Sequence, residues 1–594
     1  MIPQIPLRVL AGVACCAATA LVATPVRAAA PALPGWRATE SVLGATHGSG
    51  ADSCRFSADR TRVALVERRG EQVRVLADGA SGPPFDGVAL GSITFSEDAR
   101  RLAYVALQGE RQLVVVDGIA GPPFDAVSIG SLCFGADGRH VAYAARRGTR
   151  HVVVLDGLAG PEFDAIGAGS PVFDPAGRHA AYAARRGTRH VVMLDGRSSP
   201  EYDGLWGRPP LFDASGGHVA WVAHRDGKQC VVRDGTAGAA FDSVVSVSLV
   251  FSADGRHLAY AAYRGAKHVV VRDGVTGEAF DAVAAANLVF SPDGRQLAYV
   301  ASRGARPCVV LDGVAGDTCD DVTASSLAFG PHGRHVAYVA ERDGRWLVVL
   351  DGRAGAGHDG IGENRLTFSP DGRHLVYSAT DGEKRVVVRD GRVEGTCDGF
   401  EQTSFVFSRD GRHLGYCAQA GEEYFAVLDG RRGPAFEELA EAGVVLSADG
   451  RHSAYAGEGA GDRWFVVHDG AVEPGDGFEA VGALVFSPDG RHLAHATRAG
   501  GTWQVTLDGS PGPQWDAVLD WTLAFTADSR HLGCGVQRGA DRFMMFDGQP
   551  GSACSAILTA PVRAGADGLA FFAQRGDSLV RVRCEPADGR GGRP

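Results

Sequence analysis

Ten of the 19 histidines (His140, His179, His218, His257, His335, His374, His413, His452, His492 and His531) stand six residues after a recurrent phenylalanine or its substitute. An aspartate followed by glycine recurs further along each of the same units. Imidazole and carboxylate at fixed spacing can ligate a metal, exchange a proton or hydrogen-bond to each other. Distance excludes a metal shared around the series: equivalent points on packed sheets lie ~10 Å apart, whereas zinc ligands converge to about 2 Å from one ion. Register favours the hydrogen bond. If Gly148 centres a hairpin, His140 lies opposite Asp156, and about Gly265 His257 lies opposite Asp273. Asp-Gly occupies this place in all thirteen full units, from Asp78 to Asp547, and Arg62 and Arg101 replace the histidine in the first two. These pairs are expected to be structural ties across two strands.

The second chemistry is cationic. The stretch "ARRGTRHVV" occurs at 145–153 and again at 184–192. Turns of this type in units three to seven together carry +11, whereas the corresponding turns of units nine to eleven carry 0, -2 and -1. The candidate binding residues are therefore Arg146, Arg147, Arg150, Arg185, Arg186, Arg189, Arg225, Arg264 and Arg303, a basic crown on one face of the first seven units. The crown reads either as solvated turn residues or as a surface for an anionic partner, a protein or an envelope polymer. A net charge of -11 and turns without interleaved aromatics oppose nucleic acid as that partner.

No catalytic motif accompanies these residues. The nucleophile elbow G-x-S-x-G, the zinc motif H-E-x-x-H and the phosphate loop G-x-x-x-x-G-K-[ST] are missing, so no catalytic residue, metal or cofactor is assigned. An enzyme built from single residues around a channel stays open as the alternative, a propeller enzyme or enzyme-gating domain acting on polysaccharide or peptide. Off-consensus Trp206, Trp221, Trp346, Trp464, Trp503 and Trp521 are its candidate lining, or else core. The ten cysteines beyond residue 28 include no CxxC pair. Cys308 with Cys319, or Cys54 with Cys584, could be joined, and free buried thiols are the other reading.

The elements that must position these groups follow from periodicity. Aligned on the phenylalanine of "FSADGRHLAY", anchors fall at Phe56, Phe95, Phe134, Phe173, Phe212, Phe251, Phe290, Phe329, Phe368, Phe407, Leu446, Phe486 and Phe525. The spacing is 39 residues except one of 40, and a degenerate fourteenth unit covers 566–583. One unit contains four β-prone runs, A ("SLVFS"), B ("HLAYAAY"), C ("HVVVR") and D ("EAFDAV"), separated by Gly- and Asp-bearing turns. Four short antiparallel strands at this period predict an all-β fold, a tandem β-propeller of about fourteen four-stranded blades. Because rings usually hold 4 to 8 blades, two seven-bladed rings divided near Phe329 are expected, with six plus eight as the other partition. "PGWRATESV" near the N-terminus looks like a fourth strand, which unit fourteen lacks, so the N-terminus is expected to close the ring.

"FSADGRHLAY", "FSPDGRQLAY" and "FSPDGRHLVY" resemble the WD40-like PD40 repeat of TolB-type periplasmic proteins. The resemblance covers nearly the whole chain after residue 28 and implies a propeller serving as a scaffold or a substrate-gating domain. The PDG and ADG turns lack the spaced carboxylates of a calcium loop and need only turn chemistry.

At the N-terminus, Arg8, the apolar run "VLAGVACCAATALVA" and the small residues ending at Ala28 read as an export signal. Cys15 and Cys16 raise lipidation, which Gly12 argues against, and no later run is long enough to span a membrane. The expected organisation is a signal peptide (1–28), an N-terminal closing strand (29–55), a first propeller (56–328), a second propeller (329–584) and a tail (585–594). The expected function is an exported, non-catalytic scaffold, periplasmic or secreted, binding a protein or anionic envelope partner.

Overall fold

The computed structural model describes residues 36–45, 54–205, 207–362, 366–400, 405–560, 562–563 and 568–586. The expected signal peptide (1–28), Trp206 and the tail from 587 onward lie outside the described residues.

Blade 6 shows the plan of the chain. Its inner strand A comes in two pieces, Ser243–Val244 and Val250–Phe251, separated by a 3-10 turn at Ser246–Ser248. Both pieces pair antiparallel with strand B, Leu258–Arg264, which pairs with C, Lys267–Arg272, which pairs with D, Val275–Phe280. The sequence puts β-branched and aromatic residues in B and C and positive-φ residues between strands, which is what a hairpin ladder needs. Asp273 (φ 50) and Gly274 (φ 81) both adopt positive φ in the C–D turn, as a two-residue type I′ turn requires.

One expected strand divides. In "EAFDAV" the phenylalanine ends strand D of one blade and the residues after aspartate begin strand A of the next: Phe280 pairs with His268, while Ala282–Val283 pairs with Ser302 and Ala301. The aspartate therefore marks each crossing between blades.

Fourteen such sheets are present among the described residues, and each blade is apolar on both faces. One hydrophobic cluster lies at each successive junction, from blades 1 and 2 onward. The last cluster joins Phe572 and Leu579 of blade 14 to Cys54, Val63 and Leu65 of blade 1. The division expected near Phe329 coincides with no break. Ala298, Val300 and Val309 of blade 7 pack on Val322, Leu327 and Tyr338 of blade 8 as at any other junction. The series closes once, at blade 14, and residues 56–328 and 329–584 form consecutive arcs of one ring.

The junctions repeat one aromatic contact. The phenylalanine ending strand D meets the strand-B tyrosine of the next blade edge to face, as in Phe124 with Tyr143 (6.2 Å, 80°) and Phe280 with Tyr299 (6.4 Å, 81°). Beyond its buried area such a pair is worth ~0.5–1.5 kcal/mol. Among the described residues no disulfide joins any of the ten cysteines. Cys308 packs between blades 6 and 7 and Cys319 between blades 7 and 8, and Cys54 and Cys584 likewise sit in separate clusters.

Closure is made by the N-terminal strand. Trp36–Ala45 pairs antiparallel with Ser578–Pro586, the third strand of blade 14, and supplies the fourth strand that unit fourteen lacks. Leu43 enters the closing cluster, and Glu40 receives two bonds from Arg575, at 2.6 and 2.8 Å. Removing residues 1–45 should expose that strand edge, lower the unfolding midpoint and cause self-association on gel filtration, and adding the 36–45 peptide should reverse both effects. An unchanged, monodisperse truncated chain would contradict this closure.

Candidate functional site

Strand B runs from one rim of the ring to the other, so each blade presents two sets of turns. One face carries the A–B and C–D turns with the histidine–aspartate pairs. The other carries the B–C turns with the arginines.

On the first face the paired groups meet. His140 Nδ1 lies 2.6 Å from Asp156 Oδ2, and His257 Nδ1 lies 2.6 Å from Asp273 Oδ2. The other eight histidines of the series make the same contact at 2.7 Å. Arg62 and Arg101 substitute through Nε at 2.6 and 2.8 Å. The second oxygen of each aspartate accepts a backbone amide, as Asp273 Oδ1 does from Leu258 N at 2.9 Å. One side chain thus ties the start of strand B to the C–D turn. Blade 7 has Gln296 instead of histidine, and there Arg272 of blade 6 reaches Asp312 at 2.7 Å.

On the second face the aspartate that follows the phenylalanine acts as a clamp between blades. Asp164, at the crossing from blade 3 to blade 4, accepts from Arg150 of blade 3 through one oxygen and from the Gly187 amide of the blade 4 turn through the other, the latter at 2.5 Å. Asp203 repeats this with Arg189 and the Asp226 amide, Asp242 with Lys228 and the Gly265 amide, and Asp281 with Lys267 and the Gly304 amide. The Gly187 amide, followed by Arg150 and Arg185, holds the Asp164 carboxyl below its ordinary range. For Asp242 the Lys228 bond is the leading cause and the Gly265 amide the next. The recurrent FD dipeptide was the sequence signal for this clamp, but its two partners lie 14 residues back and 23 residues ahead, in different blades.

The clamp divides the predicted crown into two groups. Arg150 and Arg189 are engaged by clamp carboxylates. Arg146 and Arg185 bond their own turn carbonyls, Gly148 O and Gly187 O, at 3.0 and 2.9 Å. Arg147, Arg186 and Arg264 stack over Phe124, Phe163 and Phe241 with the guanidinium 5.3 to 5.4 Å from the ring centre. Arg303 stacks over Phe280 and also pairs with Glu278. Arg225 is exposed at the end of strand B in blade 5. The arginines at the ends of the B strands are exposed and aligned at intervals of one blade, on the face where blades 10 and 11 instead present Glu437, Glu438, Glu458 and Asp462. Burial, then Glu438, Asp462 and Glu437, pushes the Glu458 carboxyl up.

Of the off-consensus tryptophans, Trp221 is buried between blades 4 and 5, Trp346 and Trp464 pack on the clusters of their own junctions, and Trp503 pairs with Trp515 in backbone register. Trp521 is 53% exposed.

No family model matches the chain, and no curated protein is similar to it. Among solved structures, the chain is similar to a crystal structure of the eukaryotic initiation factor, with 14% identity, 57% of this chain and 96% of that chain covered and a TM-score of 0.27. It is also similar to the β-propeller domain of the Trilobed protease from Pyrococcus furiosus (14% identity, 44% and 94% covered, TM-score 0.20) and to the Myceliophteria thermophila Cps50 (Swd1) β-propeller domain (11%, 43% and 94%, TM-score 0.20).

His257→Ala should lower the unfolding midpoint, with a cost of about 1 kcal/mol for a half-exposed hydrogen bond, and leave crown binding intact; an unchanged midpoint would remove the structural role. The clamp carboxylates have folded pKa values below their unfolded ones. Their stabilisation is therefore present above about pH 4, the ordinary carboxylate value, and is lost as pH falls through the lower folded value. In an acid titration followed by circular dichroism, Asp164→Asn should flatten the stability profile below pH 4 relative to the parent. Parallel profiles would show that the clamp contributes nothing.

Proposed function

We propose that this chain is an exported, non-catalytic propeller scaffold of the PD40/TolB-like type, periplasmic or secreted, that binds an anionic protein or envelope polymer through the basic arc of blades 3 to 7. The reading rests chiefly on Arg147, Arg186 and Arg264. Each is exposed and held over a phenylalanine ring, and none has a carboxylate within 4 Å among the described residues. Stacking fixes the side chain without neutralising its charge, so less side-chain entropy is lost when an anion binds. Arg146 and Arg185 add charge beside them, and turn carbonyls order their guanidinium groups. The same face turns acidic at blades 10 and 11, so the field across the ring has a direction and would orient an anionic partner toward the basic arc. Support for export comes from the charged start, apolar run and small-residue close of residues 1–28. Among the described residues no helix is long and apolar enough to cross a membrane.

The test is affinity capture from the organism's envelope and secreted fractions, using the chain from Ala29 as bait beside a bait with Arg146, Arg147, Arg185 and Arg186 changed to serine. One partner held by the first bait alone, and released as salt is raised, is the expected result. Equal capture by both baits would remove the crown from the function.

A further inference from the structure

Blade 11 departs from the repeat at one position that matters chemically. The residue before the Asp-Gly of the C–D turn is leucine in six blades (Leu155, Leu194, Leu311, Leu350, Leu428 and Leu507) and arginine in three (Arg233, Arg272 and Arg389), but it is His468 in blade 11. This adds a second imidazole to the existing pair of His452 and Asp469. His452 Nδ1 lies 2.7 Å from Asp469 Oδ2, and His468 Nε2 lies 3.7 Å from the same oxygen. The two imidazole rings are 6.0 Å apart, and one ligand atom from each of the three residues falls within 4.8 Å of the others. Among the described residues no other group of three ligand-type side chains meets this condition.

We propose that His452, His468 and Asp469 form a divalent transition-metal site that takes zinc. Two imidazole nitrogens and a carboxylate oxygen are a zinc ligand set, and three protein ligands leave a fourth position open. With metal–ligand distances near 2.0–2.1 Å, neighbouring ligand atoms of a tetrahedral site stand about 3.3 Å apart. The separations of 2.7 and 3.7 Å to the shared Asp469 oxygen straddle that value, and all three ligand atoms lie within 4.8 Å of one another. The backbone beneath is already fixed, because Ala454 pairs with His468 across the hairpin and the Asp469 amide bonds Ser453 O at 2.9 Å. His468 also packs against Phe486 of blade 12, with ring centres 5.9 Å apart, which limits its rotamers.

The distance argument against a metal shared by the histidine series does not apply here, since both imidazoles belong to one hairpin. All three side chains are 40 to 42% exposed, so an ion can enter from solvent. His452 and Asp469 also form one wall of a cleft of about 980 Å³ between blades 10 and 11, whose other walls carry Arg431 and Arg451. The lining beside this pair also carries Arg432 and Asp429, and the coordination position that three protein ligands leave open would take a water or the carboxylate of an anionic ligand.

The test uses the full chain, freed of metal by chelation and titrated with zinc chloride by calorimetry and by thermal unfolding. One saturable zinc per chain and a rise in the unfolding midpoint with zinc are expected. His468→Leu and His468→Arg install residues that other blades already hold at this place. Both should unfold at the parent's temperature in chelator and lose the zinc site, while His257→Ala keeps it. Zinc uptake that is absent from the parent, or identical in the parent and the two His468 variants, would overturn the proposal.

Discussion

Every blade of this ring has two apolar faces and no core of its own, so each sheet is stable only between two neighbours. A series built this way must close on itself or leave an apolar face in water. Burying an aromatic side chain of ~150–250 Å² at ~25 cal/mol per Å² is worth several kcal/mol as an upper estimate. Each junction buries several large apolar side chains, so closure rather than any single tie governs the fold. The N-terminal strand completes the blade that meets blade 1, and Leu43 carries it into the same cluster as Phe572 and Leu65.

The polar ties serve specificity more than strength. Half-exposed ion pairs contribute about 0–1 kcal/mol each, far less than the apolar contact beneath them. Repetition gives them a different use: the histidine–aspartate pair fixes register within a blade, and the clamp aspartate fixes the angle between one B–C turn and the next. The same clamp engages Arg150 and Arg189 of the crown. It leaves Arg147, Arg186 and Arg264 available because phenylalanine, not a carboxylate, holds them in place.

Much of this was legible in the sequence. Hairpin arithmetic about Gly148 and Gly265 joined His140 to Asp156 and His257 to Asp273 but missed the backbone register by one residue: the two-residue turns pair Arg147 with Arg150 and Arg264 with Lys267, so each aspartate faces Val141 or Leu258 and the imidazole reaches it from the position before. The fourth-strand likeness of the N-terminal segment gave the closure. Three features were harder to read. The expected break near Phe329 rested on usual ring sizes, whereas the side chains of blade 7 and blade 8 are those of any other pair, and the angle between blades is not written in a periodic sequence. The clamp joins groups in different blades, so no local pattern exposes it. His468 stood in plain view as a departure from leucine, but its meaning depends on His452, 16 residues back, which only the folded hairpin brings near.

The most direct test of this account is to count blades by electron microscopy of the purified full chain, averaging views down the ring axis. The packing series predicts a single ring of fourteen blades with blade 14 seated against blade 1. Two separate seven-bladed discs would contradict it, since blades 7 and 14 would then have to abandon blades 8 and 1 for different partners.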